Sequence, residues 1–367
     1  MTNATKPGKV RYVVVGAGNI TQVAVLPAFA NAEETSELVA IISGDEEKRR
    51  ELTERYGLEE AGDYADFERV AERARADAVY IATPNAQHKD LILRAAAAGL
   101  HVLCEKPLAS SVADGQLALE ACAARGVKLM VAYRLHFEEA TLEAIELAKS
   151  GKLGELRAFE SFFSHVVRPG DIRERPETGG GAVFDLGVYC INAARNLFQA
   201  EPIEVCALIQ EKNGVDDTTS ATMRFPGGEL AMFTVSNSAA AVSSYRIVGS
   251  EGDLRVEPGF EYREKLEHHL TLDGKTRSKS FGKRDQFAPE LEHFSRCILE
   301  DRTPEPDGQE GLNDLRVVEA ILESAKAGRS VKLPPLHDSR RPNLSLVSKK
   351  PPVGEQDTVN APSPSLK

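Results

Sequence analysis

The chain has 367 residues, of which 42% are hydrophobic and 28% charged, and that length and composition fit a globular protein of two domains. Its formal net charge of -11 argues against nucleic acid or an anionic membrane as a partner, because a polyanion would not attract it. The first ten residues lack the apolar run of a signal peptide and no segment could cross a bilayer, so we expect a cytoplasmic protein.

The first part of the chain alternates short β-branched runs with helical stretches, a pattern typical of a parallel sheet covered by helices. Five runs are predicted to be strands: VRYVVVGAG, LVAIISG, ADAVYIATP, HVLCEKP and VKLMVAYR. The charged segment DEEKRRELTERYG predicts a helix that Gly57 closes in a left-handed conformation. We therefore predict a Rossmann NAD(P)-binding domain over residues 10–131, preceded by a flexible N-terminus over 1–9.

The pattern changes after Arg134. Segments such as LRAFESFFSHV and LAMFTVS alternate with period two, which predicts a mainly antiparallel sheet with one face on helices and the other open. We expect an α+β domain over 132–336 that binds substrate and, through the open sheet face, forms a homodimer or homotetramer. An amphipathic helix over 311–327 is a candidate to pack on the first domain, and residues 337–367, rich in Pro, Ser and Lys, are predicted to be a disordered tail.

The segment Gly16-Ala17-Gly18-Asn19-Ile20-Thr21 follows the first predicted strand and precedes a helix, as a dinucleotide-binding turn does. Gly16 permits the tight turn, and Gly18 lets a pyrophosphate approach the N–H groups at the helix start. Thr21 replaces the third glycine of the usual motif, so the turn by itself also fits an ordinary strand-to-helix connection.

Polar residues follow the third and fourth predicted strands, at the edge where open α/β sheets bind ligands. Thr83, Pro84 and Asn85 offer backbone and amide groups there, whereas His88 could equally be a helix-start residue without a ligand. Lys106 follows a strand that is apolar on both faces, where a lysine is hard to desolvate, so we expect it at the strand's mouth.

A glycine-rich segment, GGGAVFDLGVYCIN, occupies residues 179–192. Its glycines allow close backbone approach, and Asp185 and Tyr189 lie four residues apart, so on a helix they share one face and could meet a single substrate. The alternative is that Asp185 is a charge at a helix N-terminus and Tyr189 a packing residue.

Taken in order, GAGNI, ATPNAQH, CEKPLA and GGGAVFDLGVY resemble the motifs of the glucose-fructose oxidoreductase / inositol dehydrogenase family of NAD(P)-dependent oxidoreductases. The resemblance runs from about residue 10 to 335. It implies hydride transfer between the nicotinamide and a hydroxyl or carbonyl carbon of an aldose or related polyol. In this family the lysine that corresponds to Lys106, in Glu105-Lys106-Pro107, lies beside the nicotinamide and the substrate hydroxyl.

The resemblance also implies the catalytic roles. Tyr189 would take the proton of the sugar hydroxyl, Lys106 would stabilise the developing oxyanion, and Asp185 would hold a neighbouring hydroxyl and orient the ring. The Lys106 ammonium would also favour the phenolate form of Tyr189. These three residues, with Tyr262 on the substrate side, are the expected substrate-binding residues.

Other positions match the family around the cofactor. Arg134 matches an arginine near the nicotinamide, although it could instead be a surface residue that closes a strand. The loop RPGDIRERPE should border the pocket through either Arg173 or Arg175. The residues expected to bind the cofactor are Gly16, Gly18, Asn19, Ile20, Ser43, Lys48, Thr83, Pro84, Asn85, His88, Glu105, Lys106 and Arg134. No metal is expected, because the five cysteines lack the spacing of metal ligands.

The segment IISGDEEKRR bears on the choice between NADP and NAD. An acid at the end of the second strand binds the ribose hydroxyls of NAD and would repel the 2′-phosphate of NADP. Here the strand ends in Ser43 and Gly44, and Lys48, with Arg49 as a second cation, lies where a phosphate could be clamped. We expect NADP, with NAD as the alternative, because SGDEEK resembles the phosphate-binding stretch of the family.

Asp45 complicates that expectation. It is close enough to the strand end to serve as the ribose acid, or else it caps the following helix. Ser43 and Glu46 could also form a capping box, which would draw the serine away from the nucleotide.

Two other functions are compatible with these motifs. One is a dihydrodiol-dehydrogenase-like activity on a non-sugar diol, which would use the same lysine and tyrosine. The other is a non-catalytic nucleotide-sensing protein, and the presence of both Lys106 and Tyr189 argues against it, because a sensor needs no proton relay.

Overall fold

The computed structural model describes residues 8–336 and 340–366. Most of the N-terminus predicted to be flexible, residues 1–7, lies outside the described residues, as do 337–339 and 367. None of the helices in the described ranges has the length and apolar character needed to span a bilayer.

The first sheet is the parallel one predicted for the N-terminal domain. Its strands are β1 (Val10–Val15), β2 (Ser36–Ile42), β3 (Glu60–Gly62), β4 (Ala78–Ile81), β5 (His101–Glu105) and β6 (Leu129–Ala132). They are hydrogen-bonded in the order β3-β2-β1-β4-β5-β6, and every neighbouring pair runs parallel. The short edge strand β3 is an addition to the five predicted strands, because three residues are too few to show a period.

Both faces of this sheet are buried. Val13 and Val15 of β1 enter one apolar core, whereas Tyr12 and Val14 enter another on the opposite face, as expected when successive side chains alternate. The helices of this region are a π-helical turn Thr21–Val25 leading into α1 (Leu26–Asn31), α2 (Glu46–Tyr56), α3 (Phe67–Arg73), α4 (His88–Ala97) and α5 (Val112–Arg125). The N-terminal half is thus the predicted Rossmann fold.

Helix α2 shows how local sequence sets these boundaries. The Asp45 carboxylate accepts the Lys48 N–H at 3.1 Å and so satisfies one of the free donors of the first turn. At the other end, Gly57 adopts φ +62°, the left-handed cap predicted for it. Asp45 therefore takes the capping role, and the alternative box with Ser43 as cap does not form.

The second sheet is mainly antiparallel, as predicted. Its strands are β7 (Leu156–Val167), β8 (Glu204–Lys212), β9 (Val215–Arg224), β10 (Leu230–Ser236), β11 (Ser238–Gly249), β12 (Gly252–Val256), β13 (Leu266–Leu272), β14 (Lys275–Phe281), β15 (Val331–Lys332) and β16 (Ser365–Leu366). They are ordered β14-β13-β12-β11-β7-β10-β9-β8-β15, with β16 paired to β7, and β7 with β10 is a parallel pair. The remaining α-helices are α6 (Glu139–Lys149), α7 (Val188–Phe198), α8 (Ala288–Leu299) and α9 (Gly308–Ala327), and a π-helical turn Val183–Gly187 leads into α7.

Two helices of the C-terminal half tie the sheets together. Helix α8 falls within the predicted second domain, but its Leu291 and Phe294 pack in the core of the first sheet. Helix α9 lies against α5, where a Cβ at Gly115 would come within 3.0 Å of Leu312, and it also reaches β8, where Ser324 Oγ accepts the Ala207 N–H at 3.0 Å. The two domains are therefore joined by packed helices as well as by the chain.

The C-terminal tail packs on the body of the protein. Arg341 binds Glu201 through its Nη2 at 2.5 Å, Lys350 Nζ lies 3.1 Å from Glu292 Oε2, and Val359 is buried. The prediction of a disordered tail over 337–367 is therefore wrong for the described residues 340–366. Composition rich in Pro and Ser removes periodicity, but it does not prevent a segment from docking where side chains of the folded domains meet its polar groups.

Candidate active site

Lys106 extends from the carboxyl end of β5 toward the segment that precedes α7. Strand β5 ends at Glu105, so the lysine lies at the strand's mouth, as predicted. Its Nζ donates to the Asp185 backbone oxygen at 2.8 Å and lies 3.2 Å from Asp185 Oδ1. Burial opposes the ammonium form, but Tyr189 and Asp185 outweigh burial and raise the Lys106 pKa. The lysine is thus held as a cation between the two residues expected to act with it.

Asp185 is held by a second cation. Arg173 Nε donates to Asp185 Oδ2 at 2.6 Å, and His165 Nε2 lies 3.8 Å from the same oxygen. Burial favours the neutral carboxyl, but Arg173 and Lys106 outweigh it and lower the pKa of Asp185. Asp185 is therefore a carboxylate that can accept hydrogen bonds from a ligand, and it is a poor proton acceptor at neutral pH.

Of the two loop arginines, Arg173 is the one that contacts Asp185. Arg175 donates to the Gly170 backbone oxygen at 2.6 Å, away from Asp185. Gly180 is the reason the Arg173 loop can come so close, because the Arg173 backbone oxygen would lie 2.6 Å from a Cβ at that position. His165 was not among the predicted residues, since it lies inside a strand with no local motif.

Tyr189 lies beside both Lys106 and Arg134. The Lys106 Nζ is 4.7 Å and the Arg134 Cζ 5.1 Å from the centre of its ring. Phe163 and Phe260 pack against the same ring, with centroid distances of 5.7 and 6.0 Å. Asp185 and Tyr189 both meet Lys106, so they share one face as their four-residue spacing predicted.

Arg134 is buried rather than exposed at a strand end. Its guanidinium donates to the Gln286 side chain and the Phe260 backbone oxygen, and its Cζ lies 5.3 Å from the Tyr262 ring centre. Arg134 therefore contacts the rings of both Tyr189 and Tyr262. Gln286 has no sequence signal that would have marked it, because it follows a loop far from any motif.

Glu105, which precedes the lysine at the end of β5, lies near a second acid, the buried Glu290. The Tyr80 hydroxyl donates to Glu105 Oε1 at 2.9 Å, and Glu290 is close by with neither carboxyl oxygen hydrogen-bonded. Burial raises the pKa of both Glu105 and Glu290, and their mutual repulsion acts in the same direction on Glu290. Glu105 is turned toward Tyr80, so its role near the nicotinamide stays a prediction.

The glycine turn has the shape of a phosphate cradle. Gly16 has φ +95°, and a Cβ there would lie 2.4 Å from the Ala82 backbone oxygen, so the turn requires glycine. A Cβ at Gly18 would meet no atom within 4 Å, which leaves open space at the start of the helix. Ile20 packs on the core, and the Asn19 side chain donates to the Ala361 backbone oxygen in the tail at 2.8 Å.

The loop after β4 borders the same space. Asn85 Nδ2 donates to the Gly179 backbone oxygen at 2.8 Å, so it joins this loop to the glycine-rich segment, and Pro84 precedes a short 3-10 turn. The Thr83 hydroxyl is buried without a hydrogen-bond partner.

His88 was predicted to bind the cofactor, and that prediction is wrong. Its ring is fully buried, with Nδ1 2.8 Å from the Pro107 backbone oxygen and Nε2 3.0 Å from that of Thr83. Burial lowers the His88 pKa, although these two backbone contacts act in the opposite direction. Since both ring nitrogens face backbone oxygens, His88 positions the two loops and does not face a ligand.

Several contacts hold the segment after β2, which is predicted to set the preference between NADP and NAD. Ser43 Oγ accepts the Asp45 N–H at 3.2 Å, and Arg49 Nη1 donates to the Ser43 backbone oxygen at 2.5 Å. Asp45 uses one carboxyl oxygen for the helix cap and the other for Asn360 Nδ2, at 3.1 Å. Its carboxylate is therefore engaged twice, while Arg49 and Lys48 bring positive charge to this corner.

These residues fit a dinucleotide. The open space at Gly18 suits a pyrophosphate at a helix start, and the buried Thr83 hydroxyl is a free donor along the same edge. Lys106, Asp185 and Tyr189 then lie at the next strand end, where the nicotinamide half of such a ligand would be. The arrangement offers a phenol, an ammonium and a carboxylate, which together can move a proton and stabilise an oxyanion.

Comparison with known proteins gives matches over both domains. A family model described as "Oxidoreductase family, NAD-binding Rossmann fold" matches residues 10–133, and one described as "GFO/IDH/MocA C-terminal domain" matches residues 141–255. The D-xylose 1-dehydrogenase [NADP(+)] of Haloarcula marismortui is 32% identical over 336 residues, which cover 88% of this chain and 93% of that protein.

Solved structures are also similar. The aldose-aldose oxidoreductase from Caulobacter crescentus, complexed with glycerol, superposes with a TM-score of 0.84 at 35% identity and covers 89% of this chain and 100% of its own. KijD10, a 3-ketoreductase from Actinomadura kijaniata in complex with NADP and TDP-benzene, gives 0.81 at 28% identity and covers 86% of this chain and 98% of its own.

Two glycine substitutions should separate folding from ligand binding at the turn. Gly16→Ala should lower the free energy of unfolding by about 1–3 kcal/mol, because the new Cβ strains the backbone and meets the Ala82 oxygen. Gly18→Ala should leave stability unchanged but raise the Kd of a dinucleotide by roughly tenfold or more, since its Cβ would enter the space left for the pyrophosphate. Urea unfolding and fluorescence titration measure the two effects, and equal stability losses in both variants would contradict this account.

Proposed function

Because the chain belongs to the GFO/IDH/MocA family of oxidoreductases, we propose that it transfers hydride between NADP and a hydroxyl or carbonyl carbon of an aldose or related polyol. The substrate class is supported by two relatives, one a D-xylose dehydrogenase and the other an aldose-aldose oxidoreductase. The observation that carries the proposal is the cluster of Lys106, Asp185 and Tyr189 at the carboxyl end of β5.

The roles within that cluster follow from its charges. Asp185 has its pKa lowered by two cations, so it accepts hydrogen bonds from sugar hydroxyls and does not take up their protons. Tyr189 is the proton acceptor for the reacting hydroxyl, and the Lys106 ammonium stabilises both its phenolate and the oxyanion that forms on the substrate. When bound, the nicotinamide supplies the carbon that accepts or donates hydride.

His165 is the other group near Asp185 that could accept a proton. Burial lowers its pKa, so it is neutral at neutral pH, and its buried Nε2 makes no hydrogen bond. Its Nε2 lies 3.8 Å from Asp185 Oδ2, and we assign it to substrate positioning beside Asp185.

NADP is the expected nucleotide because the acid at the strand end is engaged elsewhere. Asp45 caps α2 and binds Asn360, so it is withdrawn from a ribose. Ser43 and the cations Lys48 and Arg49 are the groups left to meet a 2′-phosphate. NAD is the alternative if Asp45 is released.

Two other functions, oxidation of a non-sugar diol and non-catalytic nucleotide sensing, can be separated from this proposal by experiment. A diol in place of a sugar would use the same three residues, so a substrate panel that includes a cyclic non-sugar diol separates these two proposals. A nucleotide-sensing protein would not need the Lys106 and Tyr189 pair, because it transfers no proton. Turnover of any aldose that disappears in Tyr189→Phe would exclude the sensor.

The open face of the second sheet supports self-association into a homodimer or homotetramer. Alternate residues of its strands point away from the core, and among them Leu208 of β8 is 77% exposed and Met232 of β10 is 45% exposed. Aliphatic side chains lined up on an open sheet face are typical of a subunit interface. Residence in the cytoplasm stays a prediction from the sequence.

Replacing the proposed proton acceptor tests the mechanism. Tyr189→Phe should keep dinucleotide affinity and lower kcat for aldose oxidation by roughly 10²–10⁴-fold, the usual contribution of a positioned base. The measurement is NADPH formation over a panel of aldoses, with Tyr56→Phe as the matched control, because that tyrosine lies at the end of α2 and is not part of the cluster. A kcat close to that of wild type in Tyr189→Phe would transfer the role to His165.

Nucleotide selectivity has its own test. Lys48→Ala should raise the Kd of NADP by about 10–100-fold, since a charge-assisted contact is lost, and should leave the Kd of NAD nearly unchanged. Arg50→Ala, an exposed arginine of the same helix paired with Glu51, is the control and should alter neither. If NAD binds wild type as tightly as NADP does, Asp45 is the ribose ligand and the NADP assignment fails.

Subunit assembly can be checked by light scattering. Wild type should show the mass of a dimer or tetramer, and Leu208→Asp should shift it toward the monomer, because a charge would be buried in the interface. Leu299→Asp places the same charge at an exposed position on α8 and should leave the mass unchanged. A monomeric wild type would overturn the proposed assembly.

A further inference from the structure

The end of the chain bridges the two domains on the side of the glycine turn. We call residues 357–366 the C-terminal strap. It begins beside α2, where Arg55 Nη1 donates to the Asp357 backbone oxygen at 2.6 Å. It ends on the second domain, where the Arg168 N–H donates to the Pro364 oxygen at 2.7 Å and β16 pairs with the end of β7. A segment bound at both ends in this way crosses the mouth of the nucleotide cleft.

Between its ends the strap is recognised by side chains of the helix that follows the glycine turn. Gln22 is 1% exposed, and its amide makes a two-point contact with the Val359 backbone, donating to the oxygen at 2.9 Å and accepting from the N–H at 2.7 Å. Asn19, three residues earlier and so on the same face, donates to the Ala361 oxygen. Val359 and Ala361 are both buried in the contact. Two side-chain amides of one helix thus hold the backbone of the strap on either side of Asn360.

A third contact reaches the corner that meets the adenosine ribose. Asn360 Nδ2 donates to Asp45 Oδ2 at 3.1 Å and to Glu47 Oε2 at 2.8 Å. The Asn360 amide is thus an uncharged hydrogen-bond donor to both acids at the start of α2. The strap thus touches the dinucleotide site at the pyrophosphate turn and at the ribose corner.

The strap lies beside the ligand space and does not fill it. Within the described residues, its hydrogen bonds to the Rossmann domain go to side chains, and the backbone N–H groups of Gly18, Asn19 and Ile20 are not used by it. The position of a Cβ at Gly18 also has no atom within 4 Å. The donors that a pyrophosphate needs therefore remain open beneath the strap.

We propose that the C-terminal strap closes over the bound dinucleotide and slows its release. The proposal rests on the proposed function for the identity of the nucleotide. The resemblance of the sequence to the family runs from about residue 10 to 335, and the strap lies beyond it.

The test measures nucleotide release without any sugar present. Protein loaded with NADPH is mixed with excess NADP in a stopped-flow fluorimeter, and the dissociation rate of NADPH is read from the fluorescence decay. A chain that ends at Pro351 keeps the contacts of Arg341 and Lys350 with the body and removes the strap. Its dissociation rate should rise by roughly tenfold or more, because several hydrogen bonds, each worth a few-fold, close the cleft.

Point variants test the proposal even if the truncated chain does not fold. Val359→Asp should accelerate release nearly as much as truncation, since the buried position does not accept a charge, and Asn360→Ala should give a smaller acceleration. Glu355→Gln, an exposed position just before the strap, should leave the rate unchanged.

Three results would overturn the proposal. They are an unchanged dissociation rate in the truncated chain and in Val359→Asp, tighter NADPH binding after truncation, which would make the strap a competitor of the nucleotide, and a wild type that binds no NADPH. If either of the first two results is found in a protein that still turns over sugar normally, the proposed function stands and only the role of the strap is rejected. Faster release in the variants of a protein that oxidises no sugar would instead support the strap and reject the proposed function.

Discussion

The ion pair between Lys106 and Asp185 is the contact on which the geometry of the site depends, because its two members belong to different domains. A buried carboxylate is costly unless it is paired, and Asp185 is paired twice, with Lys106 from the first sheet and Arg173 from a loop of the second domain. These contacts fix the distance between the end of β5 and the start of α7. Tyr189, one helical turn after Asp185, is brought to the lysine as a consequence.

Sequence reasoning succeeded where a local pattern carries the physical requirement. The apolar runs predict strands buried on both faces. The left-handed conformation that ends α2 favours a glycine, which is Gly57. Lys106 is expected just beyond the end of its strand, because a lysine inside that strand could not be solvated. The four-residue spacing of Asp185 and Tyr189 likewise predicts that they face the same partner, which the structure shows to be Lys106. In each case the cause lies within a few residues of the position predicted.

The features that were missed depend on contacts between distant parts of the chain. His165 sits inside a strand and Gln286 follows a loop, and only the folded chain brings the first to Asp185 and the second to Arg134. His88 was misassigned because its sequence position is beside the ligand edge, whereas its side chain turns inward to two backbone oxygens. The tail reads as disordered from composition, and its order comes from partners such as Gln22, more than three hundred residues away.

Asn360 connects two properties of the nucleotide site that are usually separate, the choice of nucleotide and its release. Asp45 already accepts the Lys48 N–H that starts α2 and the Asn360 amide of the strap, so the ribose hydroxyls of NAD would compete with these partners for its carboxylate. Loss of the helix cap destabilises the fold, so the strap contact is the one more easily exchanged. With the strap proposed above, NAD binding through Asp45 would loosen the closure, whereas NADP, held by cations, would leave it intact. The two free energies are then linked, so a change that strengthens docking of the strap also strengthens the preference for NADP.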